Sequence, residues 1–154
     1  MDKDLIKTYS FRISQASRTD LIVIMYDMAI DYLGDARSFL NKSDMKEFHD
    51  SIKRAKRVID SLSTSLDMQY EISVQLYKEY MVLSKILQNA GNNKDESQIV
   101  RLIAMLKTLR KSFYEVSKQD TSGTVMKNTQ QVYAGLTYSN TGSSNEVYLR
   151  DGFK

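Results

Sequence analysis

Residues 45–66 read MKEFHDSIKRAKRVIDSLSTSL, and Met45, Phe48, Ile52, Ala55, Ile59, Leu62 and Leu66 recur at alternating spacings of three and four. At about 100° per residue these positions form one narrow apolar stripe, the seam of helix-bundle packing rather than a lone surface helix. Asn41-Lys42-Ser43 makes the turn before it, with Ser43 or Asp44 as the cap, and Asp67-Met68-Gln69 breaks it.

A helix precedes this seam. Ser17 is a good N-cap and Asp20 adds negative charge in the first turn, so the helix starts there and runs to about Leu40. Leu21, Met25, Met28, Tyr32, Ala36 and Phe39 share one face, flanked by Ile22, Tyr26, Leu33 and Leu40. Two helices follow the seam. One spans about Tyr70 to Asn89, with a core stripe of Ile72, Leu76, Tyr80, Leu83 and Leu87. It stops at Gly91-Asn92-Asn93, where Gly91 suits the left-handed position past a helix end. The other, about Asp95 to Val116, presents Ile99, Leu102, Ile103, Leu106, Leu109, Phe113 and Val116. Short turns between long helices force antiparallel neighbours. The expected fold is all-α: an antiparallel up-down four-helix bundle with an extended N-terminal lead and a C-terminal tail.

The flanks read differently. In the lead, residues 1–16, Tyr9, Phe11 and Ile13 alternate with Ser10, Arg12 and Ser14, a period-two pattern that predicts extended chain. Four of the six glycines (Gly123, Gly135, Gly142 and Gly152) fall after residue 120, in a stretch rich in Ser, Thr and Asn. The chain therefore divides into a lead (1–16), a helical body (17–117) and a polar tail (118–154). Two short apolar patches, Val132–Tyr138 and Glu146–Leu149, sit within the tail, which is read as flexible.

Composition narrows the function. The 154 residues contain no cysteine, no proline and one histidine, His49. No thiolate zinc site, disulfide framework or cysteine nucleophile exists, and a bundle di-iron site needs two histidines. No phosphate loop or nucleophile elbow occurs, so no enzyme and no cofactor is expected. The formal charge of +3 is modest for a nucleic-acid binder. The basic run Lys53-Arg54-Ala55-Lys56-Arg57 straddles a core position without interleaved aromatics and reads as a solvated face. Asp27, Asp31 and Asp35, at i, i+4 and i+8, also read as a solvated face in preference to a contact for a basic partner. No apolar run is long enough for membrane insertion, and Met1-Asp2-Lys3-Asp4 lacks the pattern of a signal peptide, so a cytoplasmic protein is expected.

The most informative feature is a second apolar stripe on the third body helix. Tyr70, Val74, Tyr77 and Met81 recur at spacings of 4, 3 and 4, centred roughly 130° from the core stripe. A bundle helix needs one stripe. The second is read as a groove wall for an amphipathic helix of another protein, in preference to coverage by the lead, the tail or a second copy in a homodimer. Val58 and Val100, at the edges of their own stripes, extend the surface. Tyr9, Phe11 and Ile13 are expected to lie over part of it when it is empty.

Ala16-Ser17-Arg18-Thr19-Asp20-Leu21-Ile22-Val23-Ile24-Met25-Tyr26-Asp27, then Ser65-Leu66-Asp67, Glu71-Ile72, Leu76, Tyr80 and Leu109-Arg110-Lys111-Ser112-Phe113, resemble the bacterial flagellar secretion chaperones of the FliS family, over about residues 9–117. Departures from the family pattern include Gln69-Tyr70, where a glycine pair is usual, and Phe113, where tryptophan is usual. The resemblance implies a non-enzymatic chaperone that holds the disordered C-terminal segment of flagellin, prevents premature polymerisation and hands its client to the export gate. As a monomer or weak homodimer it would engage protein and no nucleic acid. The alternative is a homodimeric structural or adaptor bundle that binds another secreted or regulatory protein.

Overall fold

The computed structural model describes residues 1–126. Those residues form five helices and no strand: α1 Lys3–Gln15, α2 Arg18–Asn41, α3 Met45–Thr64, α4 Glu71–Asn93 and α5 Glu96–Ser117. The expected all-α class holds. The tail patches at 132–138 and 146–149 lie outside the described residues.

Three of the starts are written in the local sequence. Ser17 accepts from the Asp20 N–H while the Asp20 carboxylate accepts from the Ser17 N–H, each at 3.1 Å, closing a reciprocal capping box. Asp44 caps α3 through the Glu47 N–H (3.2 Å), and Asp95 caps α5 through Ser97 and Gln98.

The lead is helical, not extended. Asp2 caps α1 by accepting from the Leu5 N–H at 2.8 Å. Leu5, Tyr9 and Ile13, at i, i+4 and i+8, form the stripe that packs on α2, whereas Phe11 points out to solvent. Over five residues a period of two and a period of 3.6 look alike, and packing against α2 selects the helix.

Around the core, α2 packs on α3 and α5, and α4 packs on the same two, so the four long helices close a ring with α2 and α4 on one diagonal. Asp27 near the start of α2 meets Arg110 near the end of α5, and Arg37 near the end of α2 meets Glu96 at the start of α5. These two helices therefore run antiparallel.

The α3 seam is buried as expected: Phe48, Ile52, Ala55, Ile59 and Leu62 are inside, with Met45 and Leu66 half-buried against them. Elsewhere the stripes shift. On α2 the most buried line is Tyr26, Ala29, Leu33 and Ala36, because it faces the core that α3, α4 and α5 close around. On α4 the core line is Leu76, Tyr80, Leu83, Leu87 and Ala90, and Ile72 is 62% exposed. Val116 is also exposed, at the last turn of α5, where the ring has ended.

Gly91 does not stop α4. The helix continues to Asn93, and Lys94 takes the left-handed position with φ 53°. A Cβ on Gly91 would lie 3.0 Å from Cγ2 of Ile52, so the glycine serves close approach of α4 to α3.

Residues 118–126 return to the other end of the chain. Asp120 accepts from the Thr19 hydroxyl at 2.6 Å, and the Val125 N–H donates to the Ala16 carbonyl at 2.9 Å.

Candidate interaction surface

The α4 helix is held from both sides, by α3 and by α5, and its core line locks its rotation about its own axis. That rotation fixes where every other α4 residue points. On α4 Tyr77 is 41% exposed, Met81 40% and Val74 38%; Tyr70, expected inside the helix, stands instead at its N-cap with extended backbone and is 62% exposed. The second stripe is therefore open to solvent from Val74 to Met81, roughly 10 Å of helix, about two turns of a partner helix, with Tyr70 exposed just before it. Met68, in the turn before α4, is exposed at the same end.

The other residues expected on this surface are not gathered there. Val58 is half-buried against the core of α3, about 120° around the helix from Ile52, the residue that faces Gly91 of α4. It belongs to the far flank of its helix. Val100 is exposed, but it stands one turn beyond Glu96, which the Arg37 guanidinium of α2 holds at 2.6 Å. It faces the α2 side of α5. Each sits at a stripe edge as the periodicity placed it, and only tertiary packing shows that the three edges point in different directions.

The lead does not cover the stripe either. α1 packs on α2, diagonally across the ring from α4. Tyr9 is buried and its hydroxyl donates to Asp31 at 2.5 Å; Arg12 donates to Asp27 at 2.7 Å; the Met1 amino group reaches Asp35. Ile13 is half-buried in a small cluster with Tyr9, Ala16 and Ile24. The acidic ridge is thus the bed of α1 and not a solvated face. The i, i+4, i+8 spacing of Asp27, Asp31 and Asp35 set against Tyr9 and Arg12 carries this signal, and it shows only when the lead is helical.

The ridge also anchors α5. Arg110 Nε donates to Asp27 at 2.7 Å, beside the bond from Arg12. One carboxylate thereby ties three helices together. The bond to Asp27 raises the pKa of Arg110, and burial, reinforced by the bond to Asp31, raises that of the Tyr9 phenol. Both groups keep their protons throughout the neutral range.

Shallow depressions mark the surface of the described residues. One, about 230 Å³, lies between α4 and α5 and is lined by Glu79, Leu83, Met105, Thr108 and Leu109. Another, about 270 Å³, lies where α1, α2 and α5 meet, with Phe11 and Tyr114 at its rim. Neither gathers an acid, a base and a nucleophile. His49 is exposed on α3 against the ring of Phe48, and among the described residues no group of three or more His, Asp or Glu is placed to hold a metal. Lys53, Arg54 and Arg57 are exposed, and Lys56 pairs with Asp60 at 2.8 Å. Among the described residues no helix is long and apolar enough to cross a membrane.

The family model described as "Flagellar protein FliS" matches residues 6–120, from within α1 to the Asp120 contact on α2. No curated protein matches the chain.

Proposed function

The chain belongs to the FliS family of flagellar proteins, and from that membership we propose that it is a cytoplasmic export chaperone for flagellin. In this reading it binds the disordered C-terminal segment of newly made flagellin, prevents premature polymerisation and keeps the client competent for flagellar type III export. The α2–α5 ring is read as an antiparallel up-down four-helix bundle, the rigid body on which the client folds. It needs no bound cofactor, and the export gate takes over the client by competition.

The observation that carries this reading is the exposed stripe Val74, Tyr77 and Met81 on a helix whose own core line is already filled, with Tyr70 exposed at its N-cap. A segment that is disordered alone and amphipathic as a helix gains a partner for its apolar face there. Tyrosine supplies large contacts at low entropic cost, and methionine adapts to irregular neighbours. Ordering the client costs free energy, so tight binding requires a surface larger than one stripe. The exposed Val100 is a candidate for a further contact on a second face, Val58 for a lesser one at the margin.

The test is calorimetric titration of a flagellin C-terminal segment into the Val74→Asp/Tyr77→Asp double variant. Affinity falls by at least a hundredfold while the far-ultraviolet circular dichroism of the variant stays that of the parent. Unchanged affinity removes the stripe from the account. Concentration-dependent sedimentation of the parent alone, abolished by the same substitutions, would assign the stripe to a homodimer instead.

A further inference from the structure

The joint between α1 and α2 consists of two extended residues, Ala16 (φ −77°, ψ 137°) and Ser17 (φ −69°, ψ 173°). So short a joint leaves the direction of α1 to whatever grips it. We propose that residues 118–126, the segment following α5, are a clasp that holds this joint and thereby sets how often α1 leaves its bed on α2.

The clasp grips on both sides. Downstream, Asp120 Oδ2 accepts from the Thr19 hydroxyl at 2.6 Å and from the Thr19 N–H at 3.4 Å. Thr19 lies in the first turn of α2, where amides lack partners within the helix and the helix dipole favours a carboxylate. Upstream, the Val125 N–H donates to the Ala16 carbonyl at 2.9 Å, an oxygen that ends α1. Asp120 is itself fixed by the Ser122 N–H at 2.9 Å, so the segment is pre-shaped for the contact. Both bonds join residues more than a hundred positions apart and tie the last described segment to the α1–α2 joint.

What they reinforce is weak alone. α1 has 13 residues, too few for a stable isolated helix, and its apolar anchor is the small Tyr9, Ala16 and Ile24 cluster. Docking and helicity are therefore one equilibrium: when α1 lifts, it unwinds. Lifting bares Ile24 and frees Asp31 for another basic or hydroxyl-bearing segment, while Asp27 keeps its bond to Arg110. This inference does not depend on which client the α4 stripe binds.

The experiment is hydrogen–deuterium exchange on the full chain, comparing the parent with Asp120→Ala, Val125→Pro and Thr19→Val. Amides of residues 3–15 exchange on the order of tenfold faster in Asp120→Ala and in Val125→Pro, while peptides from α3 and α4 keep the parent rate. The Asp120→Ala/Thr19→Val double variant exchanges no faster in α1 than Asp120→Ala alone. Unchanged α1 exchange in both Asp120→Ala and Val125→Pro overturns the clasp. So does equal acceleration across all five helices, which would make these contacts a part of global stability and nothing more.

Discussion

Tyr26 on α2 and Tyr80 on α4 stand on opposite corners of the ring and meet through its centre, with their hydroxyl oxygens 2.5 Å apart. Both side chains are buried, and their rings lie 6.4 Å apart between centroids. Each hydroxyl is the partner of the other, so Tyr26→Phe leaves the Tyr80 hydroxyl buried and unpaired, and Tyr80→Phe does the reverse. The cost of each is the desolvation of one orphaned polar group, about 1–3 kcal/mol. Replacing both removes the orphan together with the bond and leaves two aromatic rings of nearly the same shape. The double variant therefore stays within about 1 kcal/mol of the parent, and the coupling between the sites approaches the sum of the two single-variant costs. Urea unfolding followed by circular dichroism at a common m-value measures all four corners of the cycle. Single costs below about 0.5 kcal/mol that simply add in the double variant would refute the reasoning, because they would mean that neither hydroxyl depends on the other.

The same pair predicts the alkaline limit. Burial raises both phenols above the ordinary value of 10, so the folded state favours their protonated forms; the stability they contribute is full below pH 10 and falls as the pH rises beyond it. Phenolate absorbance of the double Phe variant should rise at lower pH, and less cooperatively with unfolding, than that of the parent. Asp120 works in the opposite direction: the bonds from Ser122 and Thr19 lower its pKa below 3.8, so its contribution is complete above that value and is lost only in strong acid. Exchange of α1 at pH 5, corrected for the intrinsic rate, should match that at pH 7. Gly34 lies in the middle of α2 with nothing within 4 Å of its missing Cβ, whereas a Cβ on Gly91 would press on Ile52. Gly34→Ala raises stability by about 0.5–1 kcal/mol, roughly 2–5 °C in Tm, and Gly91→Ala lowers it; equal gains in thermal melts would dismiss the packing reason for Gly91.

Much of the body was legible because its signals are local. Ser17, Asp44 and Asp95 announce their helices through bonds that span two or three residues, and the α3 stripe repeats often enough to fix its phase. The exposed face of α4 was legible for the same reason, since the spacing of Val74, Tyr77 and Met81 places them on one side of the helix; Tyr70 falls outside it, at the extended N-cap. The lead was not legible, because three alternating apolar residues do not distinguish two periods. Nor was Gly91, because its role lies in a side chain 39 positions away, Ile52.

Periodicity says how far one residue is turned from another on the same helix; it does not say which neighbour each side meets. By itself the sequence determined that this protein is helical, where its long helices begin, and that one of them has apolar side chains to spare. Only the tertiary structure decided that Val58 and Val100 face away from that stripe and that the aspartate ridge receives α1. It also decided that residues after α5 grip the α1–α2 joint. Each of these depends on contacts between distant segments, whose geometry is set when the core packs and is carried by no short stretch of chain.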